Sequence, residues 1–145
     1  MADKESGRIV VGVDGSPSSI DALRWAVRQA EATGSEIRAV AAWDVTMAFG
    51  YPPSYDQVDW SADARKTVDA VVGDVMAAES PVTATTQVVR GHAGTVLTDE
   101  SRDADLLVVG SRGHGTAVGM LLGSVSQYCV QHATCPVVVV RAHRN

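Results

Sequence analysis

The residues with the clearest chemical potential are glycines. Gly110, Gly113, Gly115, Gly119 and Gly123 crowd the segment between the apolar run Leu106-Leu107-Val108-Val109 and Ser124. A glycine lets backbone N–H groups approach an anion with no Cβ in the way. A helix beginning at Ser124 would add unpaired N–H groups and the positive end of its dipole. Strand, glycine loop and helix start, in that order, outline a phosphate site. Ser124 and Gln127 also stand at the S-x-x-Q spacing of a capping box. Asp14 is a second candidate, in the turn Gly12-Val13-Asp14-Gly15-Ser16. Its carboxylate could accept hydrogen bonds from a ligand, and it reads equally well as a turn residue.

Elements to position these groups follow from the apolar pattern. Arg8–Val13 reads as a nearly continuous apolar strand, as in a parallel sheet covered on both faces. Ser16 and Pro17 predict a helix start, Ile20, Leu23, Val27 and Ala30 recur at helical spacing, and Gly34 is the stop. Further strands are expected at Ile37–Trp43, Thr83–Val89, Asp105–Val109 and Pro136–Val140. A helix from Ser61, ended by Pro81, and a short one bearing Val96 and Leu97 lie between them. Five apolar strands alternating with four helices predict an α/β fold with a parallel sheet and helices on both faces. Ligands in such sheets bind beyond the carboxyl ends of the strands, where strand order reverses. Residues 1–7 read as a frayed polar lead, 44–58 as a long loop, and 1–145 as a single domain.

Composition removes several classes. The chain has 145 residues, 46% hydrophobic and 20% charged, with a net charge of −5. Nucleic-acid binding favours a basic face, so that partner is disfavoured. No apolar run approaches the ~20 residues of a membrane span, and MADKESGR has no apolar signal core. The expectation is a cytoplasmic protein. Cys129 and Cys135 form no C-x-x-C pair and have no metal-ligand spacing with His92, His114, His132 or His143. They read as free structural thiols. Trp25, Trp43 and Trp60 read as packing residues.

The spacing Gly110-x-x-Gly113, nine residues, then Gly123-Ser124 resembles the nucleotide motif of the universal stress protein family. The opening Val-Gly-Val-Asp-Gly-Ser, the turn Val89-Arg90-Gly91 and the closing Thr-Cys-Pro-Val-Val-Val-Val are also similar to it. The resemblance runs over nearly the whole chain. It implies a flavodoxin/Rossmann-like sheet of order 3-2-1-4-5 and the family class that binds ATP. It implies that Asp14 meets the ribose hydroxyls or the base, that Gly12 and Val13 line the adenosine, and that Ala42 touches adenine through its backbone. Gly110 and Gly113 would lie under the ribose and phosphates. Gly123, Ser124, Val125 and Ser126 would surround the phosphates. Arg112 could pair with a phosphate, and a divalent ion such as Mg could ride on the phosphates without a protein side chain. It also implies a homodimer that pairs the last strand, Val137-Val138-Val139-Val140, with its counterpart.

Two other phosphate motifs are absent. The loop holds no lysine, so the G-x-x-x-x-G-K-[ST] pattern fails, and the first turn is not G-x-G-x-x-G. His114 lies in the loop with no carboxylate placed beside it, and no catalytic residue is evident. The favoured expectation is an ATP-binding stress-response module with little or no catalysis. The alternatives are a slow ATPase or phosphotransferase, a cyclic-AMP binder, and a nucleotide-independent interaction protein.

Overall fold

A computed structural model describes residues 7–44, 60–76, 80–112 and 122–142. The elements run β1 (Arg8–Gly12), α1 (Pro17–Thr33), β2 (Glu36–Trp43), α2 (Trp60–Val75), β3 (Ala84–Arg90), α3 (Ala93–Glu100), β4 (Leu106–Gly110), α4 (Ser124–His132) and β5 (Val137–Val140). All strand pairings are parallel, and the sheet order is β3-β2-β1-β4-β5. The expected fold and strand order are what the chain adopts. Strand β4 lies beside β1, so the chain order reverses between them.

Alternation along each strand splits the core in two. Ile9, Val11 and Val13 of the first strand region face Leu23, Ala26 and Val68 of the α1/α2 layer. Val10, Leu107 and Val109 face Val96, Leu97 and Cys129 of the α3/α4 layer. Period-2 geometry sends successive side chains to opposite faces, and both faces here need apolar cover. That explains the unbroken apolar strands. Trp25 packs against the first core, and Trp43 lies 5.5 Å beneath the Arg90 guanidinium.

Local signals account for most boundaries. Ser16 caps α1 by accepting from the Ser19 N–H, and Pro17 opens the helix. Gly34 closes it at φ 75°, a left-handed conformation in which its N–H donates to the Ala30 carbonyl. Helix α2 ends at Val75, six residues before Pro81, so that proline is not its terminator. The S-x-x-Q capping box does not form. Gly123 is the cap of α4 and Ser124 its first helical residue. This places Gln127 one position too late, and its side-chain amide donates instead to the Leu122 carbonyl at 3.2 Å. Gly7 already accepts from the Glu36 N–H at 2.8 Å, while residues 1–6 lie outside the described residues. So does the expected 44–58 loop, apart from Asp44. No helix among the described residues is long and apolar enough to cross a membrane.

The cysteines are both free. Cys129 has no exposed surface, and burial, with Cys135 adding to it, pushes its thiol up to about 11. Reaction runs through the thiolate. From a reference of 9.0, that value lowers the thiolate population at pH 8 by about a hundredfold. Iodoacetamide at pH 8 is therefore expected to label the partly exposed Cys135 first, with Cys129 following only on denaturation. Peptide mass mapping reads the order, and prior labelling of Cys129 would contradict the buried placement.

Candidate functional site

Three segments meet at the carboxyl ends of the strands. The turn after β1 supplies Gly12, Val13 and Asp14. The end of β4 supplies Gly110 and Arg112, and the first turn of α4 supplies Val125 and Ser126. With Ala42 of β2 they line one cleft, next to the point where strand order reverses. Of the sequence candidates, these eight come together. Gly123 and Ser124 border α4 without lining the cleft, and Gly113 lies outside the described residues, as does His114.

The cleft has an apolar floor that sequence reasoning missed. Val40 stands two residues from Ala42 on the same face of β2. Ala93 and Leu97, one turn apart on α3, form the wall opposite. Val109 completes it from β4. The i, i+2 and i, i+4 spacings were visible; what was not visible was that α3 begins beside β1. Gly12 fits this wall closely. A Cβ there would sit 2.7 Å from Leu97 Cδ1.

The polar rim is built from serines. Asp14 is exposed, and its Oδ1 accepts from the Ser16 N–H at 2.9 Å and the Ser16 hydroxyl at 2.5 Å. The carboxylate is thereby oriented at the cleft mouth. Ser19 also lines the cleft, its hydroxyl donating to the Ser16 carbonyl at 3.0 Å. The Ser126 hydroxyl is buried and donates to the Ser111 and Gly123 carbonyls at 2.9 and 3.0 Å. The Gly123 N–H is engaged with the Ser111 carbonyl at 2.6 Å. What α4 presents is therefore its first-turn amides, Ser124 to Ser126, which helix geometry leaves without intrahelical partners. Helices α1 and α3 also begin at the cleft, through Ser16 and Ala93. Three positive helix ends thus converge on it. Among the described residues Arg112 is the one cation of the lining and Asp14 the one acid. No group of three His, Cys, Asp or Glu among the described residues could hold a metal ion.

A wider hollow at the opposite end of the sheet is lined by Arg8, Asp103 and Asp105 among others. Two of its acidic groups are already engaged by Arg8, whose Nε has no hydrogen-bond partner. The Arg8 guanidinium meets Asp103 at 2.8 Å, and the Arg8 N–H donates to Asp105 at 2.8 Å. Convergence of helix starts, and not volume, singles out the first cleft.

The model of the universal stress protein family matches residues 5–141. The chain belongs to that family. It is 36% identical over 135 residues to the universal stress protein Rv2624c of Mycobacterium tuberculosis, covering 92% of this chain and 48% of that protein. It therefore spans about half the length of the curated relatives it matches. Universal stress protein UspA from Lactobacillus plantarum superposes with a TM-score of 0.78 at 24% identity, over 96% of this chain and 100% of that one. A universal stress protein crystallised in complex with cAMP superposes with a TM-score of 0.62 at 27% identity, over 97% and 100%.

Proposed function

We propose that this universal stress protein binds an adenine nucleotide, ATP foremost, in the cleft at the strand carboxyl ends and relays its occupancy through a homodimer. The observation that carries the reading is the cleft itself. An apolar slot suited to a base runs from Val40 and Ala42 to Leu97. It opens onto the α4 amides and Arg112, which suit phosphates. In this reading Asp14 accepts from the ribose hydroxyls, and Gly12 and Val13 flank the adenosine. Gly110 and Gly113 pass under the ribose and phosphates. Ser124, Val125 and Ser126 donate to the phosphates, with Gly123 setting the start of their turn. The related protein solved in complex with cAMP supports an adenine nucleotide as the ligand class. Asp14, the one carboxylate of the described lining, already accepts from Ser16 at Oδ1, and in this reading a divalent ion takes its oxygens from phosphates and water.

The test is calorimetric titration with ATP, AMP and cyclic AMP, followed by phosphate-release kinetics. Binding of ATP with turnover far below the ~10 s⁻¹ median of dedicated enzymes is expected, since the described lining holds one cation and no paired base. Phosphoryl transfer needs charge neutralisation and a positioned nucleophile. Tight binding of cyclic AMP alone would move the reading to that nucleotide. No binding of any of the three would discard it.

The dimer reading rests on β5. It closes the sheet, pairing only with β4 among the described strands, and its four valines are half-buried. An apolar edge left open is an aggregation hazard, and a two-fold partner covers it symmetrically. Light scattering at micromolar concentration is expected to give twice the chain mass. The Pro136 and Val140 carbonyls accept from β4, so the N–H of Val139 faces the open edge, and replacing Val139 by Pro, which removes that edge donor, is expected to lower the measured mass. A monomer mass for the parent chain would refute the dimer.

A further inference from the structure

Ser18 lies outside the cleft, yet its hydroxyl is buried at the seam between α1 and the end of β4. It donates to the Arg112 carbonyl at 2.5 Å, and the Arg112 N–H reaches back to it at 3.4 Å. The Ser16 hydroxyl approaches the same carbonyl at 3.5 Å. The seam is tight because residue 110 is a glycine. A Cβ there would lie 2.7 Å from the Ser18 carbonyl carbon and 2.8 Å from the Ser19 nitrogen. On the other side of the chain the Ser126 hydroxyl holds the Ser111 carbonyl at 2.9 Å. The backbone leaving β4 is thus fixed at two successive carbonyls, one from α1 and one from α4.

We propose that Ser18 is a positioning residue for phosphate recognition, holding the Arg112 peptide at the phosphate end of the cleft. The proposal rests on the adenine-nucleotide reading above and adds to it a residue that touches no ligand. Its logic is directional. The base end of the cleft is built from β2, α3 and the turn after β1, none of which Ser18 restrains through Arg112. The phosphate end depends on where Arg112 is held. Loss of the hydroxyl should therefore weaken ATP selectively and leave adenosine alone. A merely structural loss would weaken both.

The experiment compares ATP and adenosine affinities, by calorimetry and by NMR titration, for the parent chain, Ser18→Ala and Ser101→Ala. Ser101 is the control because its hydroxyl is also fully buried, donating to the Thr98 carbonyl at 3.3 Å at the end of α3 away from the cleft. Ser18→Ala is expected to weaken ATP about fivefold to tenfold, the effect of one lost buried hydrogen bond. Adenosine should change less than twofold, and Ser101→Ala should change neither. If Ser18→Ala does not fold by circular dichroism, Ser18→Cys keeps the volume, weakens the bond and is read the same way. Equal losses for both ligands, or no loss for ATP, overturn the proposal. Failure of the parent chain to bind ATP would instead overturn the function it rests on.

Discussion

Gly123→Asp is expected to leave the protein folded and weaken ATP binding thirtyfold or more. Gly123 caps α4 in an extended conformation, φ −80° and ψ 171°, open to any residue. Aspartate is among the preferred caps, and its carboxylate would accept from the second and third helical amides, here Val125 and Ser126. Those are amides the phosphates are proposed to use. The substitution therefore fills the anion site from within. It also places a negative charge beside the phosphates. Like charges ~4 Å apart cost roughly 4 kcal/mol at an effective dielectric of about 20. Half of that is already about thirtyfold at 1.4 kcal/mol per tenfold. Stability should move little, because Asp and Gly caps differ by only about a few tenths of a kcal/mol. Adenosine, lacking phosphates, should bind nearly as before. Calorimetry with both ligands, with circular dichroism for folding, checks each part. A folded variant that binds ATP as tightly as the parent would remove the phosphates from α4.

How much of this the sequence disclosed depends on the range of the interaction. Strands and helices were legible because hydrophobic alternation and capping are local. Ser16-Pro17 and Gly34 set α1 within a few residues, and the structure agrees. The S-x-x-Q signal at Ser124 misled because the chain enters α4 one residue earlier. The Gly123 N–H is committed to the Ser111 carbonyl, a partner in another segment that no local pattern reveals. The polar half of the cleft was readable from its glycines and from Asp14. The apolar half was not. Leu97 and Ala93 look like ordinary core residues of a short helix until the sheet order brings α3 against β1. Ser18 was invisible for the same reason: its partner, Arg112, is 94 positions away. Long-range pairing, not residue type, gives these side chains their roles.

Glycine 110 shows the same principle through stability. Gly110→Ala is expected to destabilise the fold by about 3 kcal/mol, while Gly73→Ala stabilises it. Gly110 does not adopt a left-handed φ, so space alone is at issue. Its added Cβ would stand 2.7 and 2.8 Å from backbone atoms of Ser18 and Ser19, inside any ordinary van der Waals contact. Neither atom can rotate away. Either α1 lifts from the sheet, disturbing Leu23 and Ala26 against Val11 and Val108, or β4 bends and parts Ser18 from Arg112. Overpacking typically costs about 1–3 kcal/mol, and the lost hydrogen bond adds about 1. Gly73 makes the opposite case. It lies on the exposed side of α2, and a Cβ there would meet nothing within 4 Å. Alanine should then contribute about 0.5–1 kcal/mol by favouring the helix and restricting the unfolded chain. At roughly 3–5 °C per kcal/mol for a chain of this size, thermal unfolding should separate the two variants by more than about 10 °C, on opposite sides of the parent. Equal shifts, or a Gly110→Ala protein as stable as the parent, would mean that the seam between α1 and β4 can open without cost, and the close approach that brings Ser18 to the Arg112 carbonyl would lose its structural basis.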